Sequence, residues 1–298
     1  MPKIINTLKL DNFSCPVCKN KMLKEIFDFD SYSVVRCLDC KLEFNLDFPP
    51  RGTKENSFSE EYYRDVQKEA FAMQEKNYLL DPSLVIYKSG LNKIENFTSG
   101  RRLLDVGAGL GAFMKLASDF GWKVEGVEIS PFASEFIRKR YGFKISSKDL
   151  LSAAYTESSF DAITFWDVIE HVETPKESLK KAYDLLKPEG ILLVATDNYN
   201  SLLSFLARAL YFFGPGIFRY HAGRVFLPYN KIYLNKDYAY KLIEKIGFQV
   251  VFLRKIQYPL SKLKLSKIER AIVYLLYKLE SILGLQSQFL IIAKKDKE

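Results

Sequence analysis

The stretch RRLLDVGAGLGAFMKLASDFG, residues 101–121, constrains the fold more than any other part of the chain. Leu103, Leu104 and Val106 make a short apolar strand. Glycines at 107, 109 and 111 force a tight turn, and the residues after them carry helical spacing. A strand that passes straight into a helix is one βα unit, and the chain goes on to repeat it. Strands are expected at 102–107, 123–129, 143–146, 160–167, 190–196, 248–256 and 287–294, and helices at 110–120, 131–141, 175–187 and 236–246. Ser130-Pro131 supplies an N-cap followed by proline at N1, and Gly142 stops that helix. Thr174-Pro175-Lys176-Glu177 reads as a capping box, and Pro188-Glu189-Gly190 launches the next apolar strand. Strands alternating with amphipathic helices predict the α/β class, with a doubly wound, mostly parallel, seven-stranded sheet covered on both faces. Ligands of such sheets bind at the carboxyl ends of the strands.

The glycine turn lies at such an end. Gly107, Gly109 and Ala112 satisfy G-x-G-x-x-[GA], and Gly107, Gly109 and Gly111 satisfy the tighter G-x-G-x-G. Glycines let a ligand approach the backbone, and a helix N-terminus offers N–H groups to an anion. Glu128 ends the second strand, where a carboxylate grips ribose hydroxyls. These features suit more than one nucleotide. Asp105, two residues before the first glycine, separates the candidates. A nicotinamide cofactor is served by an apolar residue there, whereas a carboxylate suits a ligand bearing an ammonium group, as S-adenosylmethionine does.

All four cysteines sit at one end: Cys15, Cys18, Cys37 and Cys40 form C-x2-C, an eighteen-residue gap and C-x2-C. That spacing is a structural zinc site: four thiolates complete a tetrahedron and leave no open catalytic position. Lys19, Lys21, Arg36 and Lys41 flank the pairs and favour thiolate. The alternative is two disulfides or redox pairs, which a cytoplasmic setting disfavours. Residues 1–48 are expected to be a zinc ribbon too small to fold without its metal, with residues 32–36 as the strand delivering the second pair. A Pro-rich break at 47–53 opens a linker and helical cap over 49–99. There Ser57 and Glu60 start a helix towards Leu80, and a second helix runs from Pro82 to near Phe97. Residues 100–298 form the main domain, with insertions at 200–235 and 257–286. The first insertion carries a helix apolar nearly all round, expected to cover the acceptor pocket. The second reads as an amphipathic helix that packs on its own domain, on a twin subunit or in an anionic membrane surface.

Asp105-x-Gly107-x-Gly109-x-Gly111 resembles the first motif of class I S-adenosylmethionine-dependent methyltransferases, which have a Rossmann-like fold. GVEIS (126–130), KDLL (148–151), FDAITFWDVIEHV (160–172) and LLKPEGILLVATDN (185–198) are similar to that family's later segments, in order. The core is similar to ubiquinone-biosynthesis O-methyltransferases, and the ribbon, Pro-rich link and Tyr-Tyr helix resemble a bacterial-type subgroup acting on sugars, lipids and other metabolites. The resemblance implies that Asp105, Gly107, Ala108, Gly109 and Gly111 hold the methionine end of the cofactor. It implies that Glu128 takes the ribose and Ile129 the adenine face. Asp149 and the Leu150 amide would meet the adenine edge, and Asp167 and Val168 the wall near the sulfonium.

A methyl acceptor also benefits from a base, and histidine is the natural one near neutral pH. His171, after Glu170 beyond the fourth strand, and His221, in the insertion after the fifth, are the two histidines of the chain. Each also has a plain structural reading. Asp197 and Tyr199 are weaker candidates. The resemblance implies a small-molecule, glycan or lipid acceptor. An RNA methyltransferase using its ribbon and the net charge of +8, a non-catalytic binding protein and a nicotinamide oxidoreductase are the rival readings. The lysines are scattered and there is no arginine-rich run, which disfavours nucleic acid. A homodimer is open. With no secretory signal and no long uncharged apolar run, the protein is expected in the cytoplasm, with peripheral contact at the inner membrane through residues 262–284 left open.

Overall fold

A computed structural model describes residues 13–47, 60–61, 63–64, 68–214, 216–260 and 265–297. The first three strands, β1 (Leu23–Asp28), β2 (Ser33–Cys37) and β3 (Glu43–Asn45), carry the cysteines. Helices α1 (Lys68–Lys76) and α2 (Leu84–Glu95) follow. The alternating part then runs β4 (Arg102–Val106), α3 (Ala112–Asp119), β5 (Lys123–Val127), α4 (Pro131–Tyr141), β6 (Lys144–Ser146), β7 (Phe160–Trp166), α5 (Pro175–Leu185) and β8 (Leu186–Asp197). It ends with α6 (Leu202–Phe213), α7 (Ile217–Gly223), β9 (Ile232–Tyr233), α8 (Lys236–Ile246), β10 (Phe248–Ile256), α9 (Lys267–Leu283) and β11 (Gln288–Lys295).

The large sheet has seven strands in the order β10-β11-β8-β7-β4-β5-β6. Only β11 runs against its neighbours. The strands are apolar on both faces because both are covered. Leu104, Ile163, Leu192 and Ile291 join one core beneath α5 and α8, while Leu103, Ala162, Leu193 and Ile292 join the other beneath α2 and α3. Alternation along each strand therefore assigns every residue to a helix layer, and polar exceptions stand out. Asp105 and Thr164 are two of them, both buried and paired across β4 and β7.

Local signals hold at most helix ends. Ser130 accepts a hydrogen bond from the Ala133 N–H, and Gly142 closes α4 at φ 71°. Three readings need correction. The helix expected to reach Leu80 ends at Lys76, because Asn77 is extended and its side chain caps a separate 3-10 turn, Tyr78–Leu80. Its expected start at Ser57 lies outside the described residues. Thr174 makes no side-chain cap, since its backbone geometry (φ −125°, ψ 72°) lies outside the usual capping region. The Pro188-Glu189-Gly190 turn lies within β8, where pairing to β7 jumps from Leu186 to Ile191.

The small sheet is β1-β2-β3-β9. Its fourth strand comes from the insertion after β8: Glu43 pairs Tyr233 and Phe44 pairs Ile232. The cysteine-bearing segment thus shares a hydrophobic core with the large sheet, with Val35, Leu42 and Phe44 meeting Ile232, Leu234 and Leu242. Buried Glu43 accepts from Arg36 and from Arg208 of α6, the latter at 2.6 and 3.1 Å. The Tyr32 hydroxyl donates to the Phe226 carbonyl. Helix α6 is pinned to this sheet through Arg208 and Tyr211.

Candidate active site

At the carboxyl edge of the large sheet, β4 ends in the glycine turn. Gly107 and Ala108 donate their N–H groups to the Val127 carbonyl, which bends the chain back onto β5. Gly107 has φ +70°, and a Cβ there would come within 2.4 Å of Val168. Gly109 has φ +54° and open space on its outer side, so the turn is a backbone cradle with room above it. Gly111 is the N-cap of α3 and has no side chain to offer the first N–H groups of that helix, which leaves them to suit a ligand carboxylate.

Two buried carboxylates flank the cradle. Asp105 accepts from the Thr164 hydroxyl at 2.7 Å. Burial pushes its carboxyl up to about 7; the Thr164 hydrogen bond opposes this and the charge of Glu128 adds to it. Glu128 accepts from the Gly109 N–H at 2.8 Å and the Ser130 N–H at 2.9 Å, one on each oxygen. Burial raises it as well, against those two bonds. A carboxylate has about four lone-pair positions, so Glu128 retains acceptor capacity for ligand hydroxyls. Ile129 next to it is half exposed. Asp149 is exposed and accepts from the Ser152 N–H at 2.8 Å, while Leu150 is buried. Asp105, Gly107, Ala108, Gly109, Gly111, Glu128 and Val168 thus meet around one cradle, with Ile129, Asp149 and Leu150 at the ends of the next strands.

Further along the edge lies a second group of acids. Asp167 is held at φ 53°, a conformation that stores strain in a non-glycine residue. Its N–H donates to the Ala195 carbonyl. Gln288, directly opposite Asp197 in the β8–β11 register, donates to Asp167 at 2.9 Å and to Asp197 at 3.3 Å. Glu170 is buried, and burial together with the charge of Asp167 pushes it up to about 8. Burial, then the charges of Glu170 and Asp167, push Asp197 up to about 7, and His171 lies close enough to oppose that shift. The His171 Nδ1 lies 3.0 Å from the Tyr229 carbonyl, so Nδ1 carries the proton and donates it. His221 sits elsewhere, exposed on α7, where Glu269 at the start of α9 feels its charge. Of the two histidines, the structure brings His171 to the acids.

Beyond the acids a groove of about 700 Å³ runs between α2 and α9, lined by Pro82, Ile86, Tyr258, Leu260, Tyr277 and Ile282 among others. Tyr258 joins the groove to the strand edge, its N–H donating to the hydroxyl of Ser287 beside Gln288 at 3.5 Å; burial, then the charges of Asp167 and Asp197, raise its phenol. Thr164, Gln288 and Tyr258 escape sequence reasoning. The one trace of Gln288 is a polar residue heading the apolar run QFLIIA.

The cysteines form a separate centre. Cys15 and Cys40 lie 3.5 Å apart, as do Cys18 and Cys37, and all four sulfurs fall within 4.8 Å of one another. A tetrahedral zinc with bonds of about 2.3 Å requires sulfurs about 3.8 Å apart, so the quartet fits that ion. The cysteines are unbridged, against the disulfide alternative. Tyr238 of α8 donates to the Cys40 sulfur at 3.4 Å.

Comparison with known proteins agrees with this edge. Residues 78–253 match the family model described as a methyltransferase domain. The ubiquinone biosynthesis O-methyltransferase of Schizosaccharomyces pombe, a mitochondrial protein, is 26% identical over 126 residues, 40% of this chain and 46% of that protein. The protein of the same name from Xanthomonas oryzae pv. oryzae is 31% identical over 107 residues, 34% of this chain and 44% of that protein. The chain thus spans under half the length of these curated relatives. A crystal structure of a SAM-dependent methyltransferase from Archaeoglobus fulgidus shares the fold at a TM-score of 0.52 and 24% identity, over 76% of this chain and 99% of that one. The chain belongs to the methyltransferase-domain family, and its large sheet shares the fold of S-adenosylmethionine-dependent methyltransferases. Among the described residues no helix is long and apolar enough to cross a membrane.

Proposed function

We propose that the protein methylates a hydroxyl of a small, partly apolar acceptor at the edge between β7, β8 and β11, and that the cysteine quartet holds a structural zinc ion. The observation that carries the reading is the open cradle at Gly109 flanked by buried Asp105 and Glu128. Asp105 holds the ammonium of the cofactor, the α3 N-terminus its carboxylate, and Glu128 its ribose. Ile129 covers the adenine face, Asp149 and the Leu150 amide read its edge, and Asp167 and Val168 wall the sulfur side. S-adenosylmethionine supplies, when bound, a methyl group on a positively charged sulfur. The protein must then align the acceptor in line with that bond, exclude water and take up one proton. His171 is the base: with Nδ1 donating to Tyr229, Nε2 carries the basic lone pair, and the neighbouring acids stabilise the imidazolium. Gln288 positions Asp167 and Asp197 along the acceptor edge. An oxygen acceptor is supported by the named activity of the ubiquinone-biosynthesis relatives, and an apolar portion by the groove at Tyr258.

The test is transfer of labelled methyl from S-adenosylmethionine to simple phenols with and without an aliphatic tail. His171→Ala is expected to lower kcat by about 10²-fold or more, with cofactor affinity unchanged. A variant that keeps the parent's rate removes His171 from the chemistry. No labelled ether with any phenol overturns the acceptor class.

For the metal, Tyr238→Phe is expected to weaken zinc about tenfold in competition with a chromogenic chelator, because it deletes a donor to one thiolate. Equal affinity would make that contact incidental.

A further inference from the structure

Two neighbouring helices turn their apolar residues outward. On α9, Ile268, Ile272, Leu275, Leu279 and Ile282 recur at steps of four, three, four and three, which is one stripe of a helix. Their exposure runs from 43% at Leu279 to 81% at Ile282. Tyr277 and Glu280, on the opposite side, are the buried residues of this helix. The stripe therefore faces away from the domain. Helix α6, in contact with α9, repeats the arrangement: Ser204 and Ala207 are buried, while Phe205, Leu206 and Phe213 point out, Phe213 at 90% exposure. Contiguous apolar patches of this kind mark an interaction surface.

The charges around the stripe select the partner. Lys267 and Lys278 are exposed on one flank of the stripe, whereas Arg270, one heptad before buried Tyr277, is turned from it and donates to the Leu260 carbonyl at 3.4 Å; the acids of α9 are Glu269, tied into the capping box with Ser266, and buried Glu280. We propose that the α6–α9 face seats in the headgroup layer of an anionic lipid bilayer, the stripe entering the acyl boundary and the basic side chains reaching the phosphates. A second copy is the competing occupant, but a two-fold contact would press two cationic rims together. Continuity with the site supports the bilayer. Tyr274, Lys278 and Ile282 of α9 also line the groove that reaches Tyr258, so a seated α9 places the groove beside the lipid. Docking goes beyond the acceptor reading and does not depend on turnover.

The test is co-sedimentation of the full zinc-loaded chain with phosphatidylcholine vesicles, with and without phosphatidylglycerol. Binding is expected to be about tenfold or more tighter with the anionic lipid and to fall as salt is added. The double variant Ile272→Glu, Leu275→Glu replaces exposed side chains. It is expected to lose vesicle binding about tenfold or more while keeping the parent's melting curve and S-adenosylhomocysteine affinity. Failure of the parent to sediment with anionic vesicles overturns the proposal. So does a double variant that binds as the parent does, or a lipid-free dimer that the double variant splits. Methyl transfer to water-soluble phenols, measured without vesicles, tests the acceptor reading separately.

Discussion

Asp105→Asn is expected to lose cofactor affinity by about 10²- to 10³-fold and at the same time to raise the melting temperature of the ligand-free protein above neutral pH. Both effects follow from the same burial. The folded carboxyl titrates at about 7 because water is excluded from it, whereas in the unfolded chain it titrates near its ordinary 3.8. Between those values the folded form keeps a proton that the unfolded form has released. Stability therefore falls as pH rises through that window and stays at its lower level above it, by up to about 4 kcal/mol. Asparagine removes this penalty, and its amide oxygen still accepts from Thr164. It cannot, however, meet a buried ammonium with a charge, and losing one partner of such a pair costs about 3–5 kcal/mol. Calorimetry with S-adenosylhomocysteine at pH 8 and melts at pH 5 and pH 8 read the two effects. The gap between the parent and variant melts should be smaller at pH 5 than at pH 8 and close only below about 3.8, where both folded and unfolded Asp105 are protonated. For the parent, affinity should rise with pH up to about 7 and then level off, since below that value binding must expel a proton. An asparagine variant that binds within a few-fold of the parent would remove the ammonium assignment.

Cys40→Ser, or stripping with a chelator, is expected to separate cofactor binding from turnover. A structural zinc on four thiolates contributes about 10 kcal/mol or more, and the segment it ties shares a core with Ile232, Leu234 and Leu242. Its loss should not stop at β1–β3. Strand β3 pairs with β9, and the Lys231 and Ile232 N–H groups that lead into β9 donate to the Glu170 carbonyl at 2.7 and 3.1 Å. His171 in turn holds the Tyr229 carbonyl. The acceptor edge is therefore tied to the cysteine quartet by a short run of hydrogen bonds, whereas the glycine cradle rests on β4 and β5. Hydrogen exchange should show protection falling about 10²-fold or more over residues 23–45 and 199–234, with residues 102–128 unchanged. Homocysteine-product affinity should persist while methyl transfer falls. Protection that holds at 199–234 would show that the segment stands without the metal.

Much of this was legible because the signals were local. The alternation of Leu103 with Leu104 and of Ala162 with Ile163 marks strands covered on both sides, and Ser130 and Gly142 bracket α4 by their own chemistry. The spacing of the cysteines carried their gathering. What could not be read was set by pairing across long separations. Ile232–Tyr233 is a two-residue strand with no period of its own, and only Phe44, nearly 190 residues earlier, makes it one. Gln288 is an ordinary glutamine until the register puts it beside Asp197. Thr174 failed as a cap although its sequence context was right, because the chain enters α5 at the wrong angle.

The borrowed fourth strand of the small sheet has a consequence for how copies of this protein mature. A chain clipped to start at Arg101 would bare the edge of Ile232–Tyr233 together with Tyr199 and Phe226, whose aromatic neighbours Phe27 and Tyr32 would be gone. Such a fragment would cling to its own kind instead of serving as a minimal enzyme. On the proposed zinc reading, acquisition of the metal would be a checkpoint in assembly, and a cell short of zinc would accumulate sticky, half-finished molecules.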